Sequence, residues 1–322
     1  MLVTFAGSPG RAEAQLVPDA GYELDTFEIA GLPRDPSWAA LRSLALAGKA
    51  PFACREILAR RRPDVVLGGG GYVAGPMVVA AATKRIPTAL MEADAHLGLA
   101  NRLALPFARR VFLAFPIPGR TGPKYRVTGR PVPASSRAIG RDDARRRFQL
   151  PTEGRVLLVY GGSQGARTLN ELVVEAFSED GPLVLHLAGE RDFESLHDRV
   201  SRDGYRLLPF THDFGAALAA ADLALARAGG SVYELAAAGT PALLVPYPHA
   251  TADHQTKNAR HFEEAGAAMV VREADVATVP GLVGSLLSDP ERLEGMAAAM
   301  RRLARPHAAD EIADEVLALA GV

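Results

Sequence analysis

Short apolar runs alternate along this chain with stretches whose apolar positions recur every three or four residues. The short runs predict strands at Leu2–Ala6, Leu24–Ile29, Val65–Gly68, Thr88–Met91 and Val111–Ala114. A second series predicts strands at Val156–Tyr160, Leu183–Ala188, Tyr205–Pro209, Leu223–Ala226 and Ala242–Pro246. Helical patterns cover Arg11–Ala20, Ser37–Arg62, Gly75–Lys84 and Gly98–Phe107. Others start near Gln164, Asp192, Asp213, Ser231 and His254, and two more from Pro290 and Ala309. Strand and helix in regular alternation build parallel sheets from βα units, so the fold class is α/β.

The segment Thr128–Pro151 interrupts the alternation. Gly129, Pro131, Pro133 and Pro151 surround a charged helix, Arg141–Phe148. It predicts a first domain over residues 1–133, a linker over 134–151, and a second domain over 152–322 that closes on C-terminal helices. Two α/β halves on one hinge imply a cleft between them. Nothing precedes Leu2, although a doubly wound domain ordinarily opens with a strand, a glycine-rich turn and a helix.

Composition changes the picture in three respects. The 322 residues are 48% apolar but only 6% aromatic, which suits Ala-, Leu- and Val-rich helices packed on parallel sheets. The net charge of −1 hides an asymmetry: residues 1–150 carry 22 Lys/Arg against 12 Asp/Glu, the remainder 14 against 25. The basic first half therefore faces something anionic, such as lipid headgroups or a lipid pyrophosphate. Nucleic acid is disfavoured, because no stacking aromatics accompany the basic clusters. Cys54 is the single cysteine, so no disulfide forms within the chain. The N-terminus does not read as a signal peptide, and no apolar run reaches the 18 or so residues of a membrane span.

The chemistry concentrates in loops that follow strands. In residues 227–258, Gly229-Gly230-Ser231-Val232 opens a helix carrying Glu234, and His254-Gln255 starts another. Both helix starts fall where an open α/β sheet binds ligands and where free N–H groups favour a diphosphate. Glu234 is placed to accept two ribose hydroxyls. Gly161-Gly162-Ser163-Gln164-Gly165 follows another strand; it is either a phosphate- or sugar-binding turn or a plain helix cap. Gly68-Gly69-Gly70-Gly71-Tyr72 holds more glycine than a tight turn needs, which suits close approach of an anionic ligand. Glu92 and Asp94 end a strand and could bind hydroxyls or take a proton, while Asp94 could equally cap the next helix. His249, Asp253, His254 and His261 match no zinc-binding spacing. No P-loop or nucleophile elbow occurs.

Together these segments resemble the MurG family, the N-acetylglucosaminyltransferases that complete lipid II in bacterial cell-wall synthesis. Residues 68–76, 161–170, 227–239 and 253–259 are similar to its signature segments, in order and along the whole chain. The resemblance implies a GT-B type fold: two Rossmann-like domains facing a cleft, the first truncated at its N-terminus. It implies UDP-GlcNAc as donor, with Ser163 and Gln164 by the diphosphate and sugar, Thr211 by the uracil, Gly229, Gly230, Ser231 and Val232 along the nucleotide, Glu234 on the ribose, and His254 and Gln255 on the GlcNAc hydroxyls. It implies lipid I (undecaprenyl-pyrophosphoryl-MurNAc-pentapeptide) as acceptor, near Gly69, Gly70, Gly71, Tyr72, Glu92 and Asp94, with Arg130 standing in for a family arginine. No metal and no cofactor are implied. The enzyme would sit peripherally on the cytoplasmic side of an anionic cell membrane, with Leu103–Phe107 beside Arg109-Arg110 meeting the bilayer.

Three departures carry weight. Asp94 stands where relatives have asparagine, and Pro133 where they commonly have arginine. The family's opening strand and glycine-rich loop, with its proposed catalytic-base histidine, has no counterpart after Met1, so the catalytic base is unassigned and the true start is expected upstream. Lack of that strand would expose apolar edges at the centre of the first sheet. The alternatives are a UDP-sugar-binding relative without transferase activity, a glycolipid glycosyltransferase with another lipid acceptor and, last, an NAD-dependent oxidoreductase.

Overall fold

The computed structural model describes residues 2–29, 38–134, 139–162 and 165–321. Two compact units emerge: Met1–Thr128 together with Asp310–Val322, and Gly129–Ala309. In the first, β1 (Thr4–Gly7), α1 (Ala12–Asp19), β2 (Glu23–Thr26), α2 (Trp38–Arg61), β3 (Val66–Gly68), α3 (Gly71–Thr83), β4 (Thr88–Glu92), α4 (Leu99–Ala104), β5 (Arg110–Leu113) and β6 (Tyr125–Val127) follow one another. β3-β4-β5-β6 form one parallel sheet, while β1 and β2 form a separate parallel pair.

The central strands of the larger sheet, β4 and β5, are buried on both faces. Leu90, Val111 and Leu113 pack with Val78 of α3 and Ala104 of α4. On the other face Ala89 and Phe112 pack against Ile312, Val316 and Leu319 from the end of the chain. Fully burying one side chain of this size contributes roughly 2–3 kcal/mol, so both layers are needed. The division between β1 and β3 has its own signature. Ala6 and Val66 lean on one cluster around Cys54, Ile57 and Met77, yet the two strands do not pair. Phe5 and Leu67, in the middle of these strands, are 41% and 40% exposed.

The second unit contains α5 (Arg141–Arg147), β7 (Val156–Tyr160), α6 (Arg167–Phe177), β8 (Leu183–Leu187), α7 (Glu190–His197), β9 (Tyr205–Leu208), α8 (Phe214–Ala220), β10 (Leu223–Ala226), α9 (Val232–Ala238), β11 (Ala242–Leu244), α10 (His254–Glu264), β12 (Ala268–Val270), α11 (Val279–Leu287) and α12 (Pro290–Leu303). Its parallel sheet runs β12-β11-β10-β7-β8-β9. The order reverses at β7, so loops leaving β7 and β10 diverge and open a crevice at the C-terminal edge. Leu157, Val159, Leu225 and Leu243 are fully buried with Leu169 and Val173 of α6 and Val283 of α11.

The expected boundaries need three corrections. The charged segment 141–147 is not a linker, because Ala144 packs against Ala216 and Ala220 of α8 and Arg145 is buried. The second unit accordingly begins at Gly129. The last helix, α13 (Ala308–Ala320), runs back to cover the first unit's sheet instead of closing the second. β6, β12 and α11 were not expected; the two strands, at three residues each, are too short to show a period. Cys54 is fully buried, and that burial raises its thiol to about 12, so it is an inert core residue. Among the described residues, no helix is long and apolar enough to cross a membrane.

Candidate functional site

In the second unit the loop after β10 is pinned from several sides. Arg227, only 8% exposed, donates to the carbonyls of Val245 (3.1 Å) and Pro246 (3.3 Å) past the end of β11, and forms an ion pair with Glu273. Asn258 of α10, fully buried, donates to the Ala228 carbonyl at 3.1 Å. These bonds fix Gly229-Gly230-Ser231 as a rigid turn into α9. The Arg130 guanidinium lies directly on Gly230: a Cβ there would stand 1.7 Å from its Nη1. Burial raises the Glu234 carboxyl above its usual range, and the charge of Arg130 opposes that rise. Arg130, expected with the acceptor residues, lies instead against Gly230 and Glu234, two residues expected on the donor side. Val232 is also corrected in part, since its side chain is fully buried and only its backbone borders the turn.

Tyr160 ends β7 beneath this turn. Its ring meets Phe214 edge-to-face at 5.0 Å, and its hydroxyl is buried beside Ser231 without a well-formed hydrogen bond. Burial raises the phenol's pKa, so the hydroxyl stays protonated. Phe214 belongs to the segment that carries Thr211, whose Oγ1 accepts from the Asp213 amide at 3.0 Å. Ser163 and Gln164 lie outside the described residues. The next residue, Gly165, stands against the Ala188 carbonyl and Asp192, and Asn170 donates to both of these (2.8 and 2.9 Å) while its Oδ1 meets His186 at 3.0 Å.

At the start of α10, His254 Nδ1 lies 2.9 Å from the Thr251 carbonyl, which makes Nδ1 the protonated nitrogen and leaves Nε2 as an acceptor. Gln255 Oε1 accepts from the Tyr247 amide at 2.9 Å, leaving its NH2 to donate. The preceding Ala252 and Asp253 hold left-handed backbone angles, φ 53° and 55°, that side-chain-bearing residues adopt at a cost. Sequence reasoning missed Arg130's packing, Arg227 and Asn258. The arginine after β10 and the asparagine in α10 offered no chemical pattern of their own.

In the first unit, Gly70 and Gly71 hold φ of 96° and 68°, angles that turn the chain from β3 directly into α3. That is why α3 begins four residues before the expected Gly75. Gly69 and Tyr72 share this turn. Glu92 at the end of β4 is buried, and its carboxylate is spent on its own loop. It accepts from Gly98 N (2.8 Å), Asn101 Nδ2 (2.9 Å) and Asp94 N (3.3 Å). Glu92, expected to meet a ligand, thus bonds within its own loop and shapes the stretch that presents Asp94, which is half-buried.

The chain matches the glycosyltransferase family 28 N-terminal domain over residues 2–113 and the family 28 C-terminal domain over residues 156–312. It is a glycosyltransferase of the GT-B fold. Within that class it belongs to the MurG family, the UDP-N-acetylglucosamine–N-acetylmuramyl-(pentapeptide) pyrophosphoryl-undecaprenol N-acetylglucosamine transferases. The relative so named from Rubrobacter xylanophilus is 41% identical over 323 residues, 98% of this chain and 95% of the relative. The one from Halothermothrix orenii is 34% identical over 326 residues, 95% and 88% of the two chains. The crystal structure of Acinetobacter baumannii MurG aligns with a TM-score of 0.77 at 27% identity, over 98% of this chain and 90% of that one. The calicheamicin glycosyltransferase CalG4, at 19% identity and TM-score 0.71, shares the fold.

Proposed function

We propose that this chain transfers N-acetylglucosamine from UDP-GlcNAc to the C4 hydroxyl of MurNAc in lipid I, inverting the anomeric centre, to give lipid II. The observation that carries the reading is the Arg130–Gly230–Glu234 set at the C-terminal edge of β10, in a chain whose relatives are named for this reaction. Glu234 in its ionised form accepts two ribose hydroxyls. Arg130 and the amides of the Gly229–Ser231 turn face the diphosphate and stabilise the charge that grows on it as the sugar leaves. The His254 Nε2 acceptor and the Gln255 donor match the alternating hydroxyl and amide chemistry of GlcNAc, and Thr211 lies toward the base. No metal is invoked for the leaving group, because a guanidinium and backbone amides supply that stabilisation. In the first unit, Gly69–Tyr72 border the acceptor pyrophosphate and Asp94 faces the acceptor sugar.

The same reading places the enzyme on the cytoplasmic face of an anionic membrane. Leu99, Leu103 and Phe107 are exposed together on and just after α4, beside Arg102, Arg109 and Lys124. Apolar side chains within a basic surround suit insertion among anionic headgroups.

Incubation with UDP-GlcNAc and a lipid I analogue tests the activity, and a lipid-linked disaccharide is the expected product. A second reading, donor binding without transfer, draws support from the unpaired edges of β1 and β3 in the acceptor unit. Calorimetric binding of UDP-GlcNAc without product would select it. Binding of NADH in place of UDP would overturn both.

A further inference from the structure

At the opposite edge of the second unit's sheet, where β7 and β10 begin, lies a cavity of about 450 Å³. Asp222, just before β10, is its hub. One carboxylate oxygen accepts from Arg145 (2.8 Å) and the Val156 amide (2.8 Å); the other accepts from Arg141 (3.0 Å) and Arg155 (2.9 Å). A fourth arginine, Arg301, lies against Gly239 on another wall and is paired with Glu294. Asp222 neutralises one guanidinium, and the fully enclosed Arg145 has the shortest bond to it and no route to solvent. With Asp142 the next carboxylate to act on the cluster, Arg141 and Arg155 remain as two guanidinium groups held side by side on one shared oxygen. Their side chains are 51% and 41% exposed, and each spends one N–H on a shared oxygen. Arg145 feels both signs: burial lowers its pKa, Asp222 and then Asp142 oppose the fall, and the charges of Arg141 and Arg155 add to it.

Two half-free guanidinium groups at the mouth of a cavity form a fork for a tetrahedral dianion, since each can present parallel N–H groups to two oxygens. Leu218, Leu293, Ala297 and Pro241 supply an apolar wall for a small organic portion. We propose that this basal cavity is a second anion site, which binds a phosphate-bearing ligand through Arg141 and Arg155, separate from the nucleotide site at the far edge of the same sheet. The binding requires neither donor nor acceptor, and it stands whether or not the transferase reading holds.

The test measures inorganic phosphate binding to the whole chain after the nucleotide site has been saturated with UDP. Phosphate should raise the melting temperature further and give a titratable heat. In the Arg141→Gln/Arg155→Gln variant its affinity should fall at least tenfold, with UDP affinity unchanged within twofold. Asp222 keeps its bond to Arg145 in that variant, which guards the fold. Should the double variant fail to fold, Arg155→Gln alone decides, with Arg155→Lys expected between it and the parent. Phosphatidic acid vesicles, whose headgroup is a phosphomonoester, form a second arm. Retention lost in the double variant identifies a lipid headgroup as the source of the phosphate; retention that does not change identifies a soluble ester. Phosphate that adds nothing to the UDP-saturated protein, or that stabilises the variants equally, would overturn the proposal.

Discussion

The Arg130 guanidinium occupies the volume in which a side chain at Gly230 would begin, with Nη1 1.7 Å from the position of a Cβ. The φ of Gly230 is not in the left-handed region, so its lack of a side chain reflects this contact and not backbone freedom. Gly230→Ala should expel Arg130 from the turn and weaken UDP binding about tenfold or more, equivalent to about 1.4 kcal/mol. Calorimetry on the alanine variant and on Arg130→Ala/Gly230→Ala checks this. The double variant relieves the clash, so its fold should recover while its affinity stays low. Equal affinities in parent and Gly230→Ala would remove Arg130 from the nucleotide set.

On the proposed role of Glu234, UDP binding should depend on pH. Its folded pKa lies above the ordinary 4.5, chiefly through burial. Between 4.5 and that raised value the folded protein holds more protons than the unfolded chain, so stability falls as pH rises through the window and levels off above it. Ribose binding runs the other way, because only the ionised form accepts two hydroxyls. Glu234→Gln should lose this slope in denaturant titrations and should bind UDP about 10- to 100-fold more weakly at pH 8, the scale of a hydrogen bond to a charged acceptor.

His186 should dominate acid unfolding of the second unit. It is fully buried between Tyr205 and Asn170, and burial lowers its pKa from 6.5 to about 3. The unfolded chain takes up the proton first, so stability is complete above 6.5 and is lost as pH falls from 6.5 toward 3. The slope should approach about 1.4 kcal/mol per pH unit. His186→Leu should flatten it, and should cost about 1–3 kcal/mol at pH 7 by stranding its two partners. Urea melts at a series of pH values separate the two effects.

Asp222→Asn should be among the most damaging single changes in the second unit. It leaves Arg145, whose side chain is 2% exposed, without its counter-charge. Breaking a buried pair from one side costs about 3–5 kcal/mol. Thermal unfolding should show the loss, and replacing Arg145 by Met in the same chain should restore part of it.

Membrane attachment should depend on few side chains. Leu99→Glu/Leu103→Glu puts two carboxylates on a face where both leucines are more than half exposed. Co-sedimentation with anionic vesicles should drop sharply, and UDP affinity should not change. Retention equal to that of the parent would place the contact elsewhere.

Much of the architecture was legible because strands buried on both faces are apolar throughout and glycine turns mark the ends that bind ligands. Val156–Tyr160 and Leu223–Ala226 fell where the sequence put them, and with them the place of Glu234. Contacts between distant segments were not legible. Nothing near Arg130 says that it will lie on a glycine 100 positions away. A carboxylate at a strand end reads as open, yet Gly98 and Asn101 fold back to enclose Glu92. The apolar stripe of residues 308–320 announces a buried helix face without saying which sheet it covers. Arg141–Arg147 reads as solvated because its anchor, Asp222, is far along the chain.

The return of α13 to the first unit fixes an order of events at the ribosome. Gly129–Ala309 is one continuous stretch, while the layer that covers Ala89 and Phe112 is made only after it. The unit made first is therefore finished last, against the usual progression from N- to C-terminus. A nascent chain halted before Asp310 shows that bare sheet face to whatever chaperone is at hand.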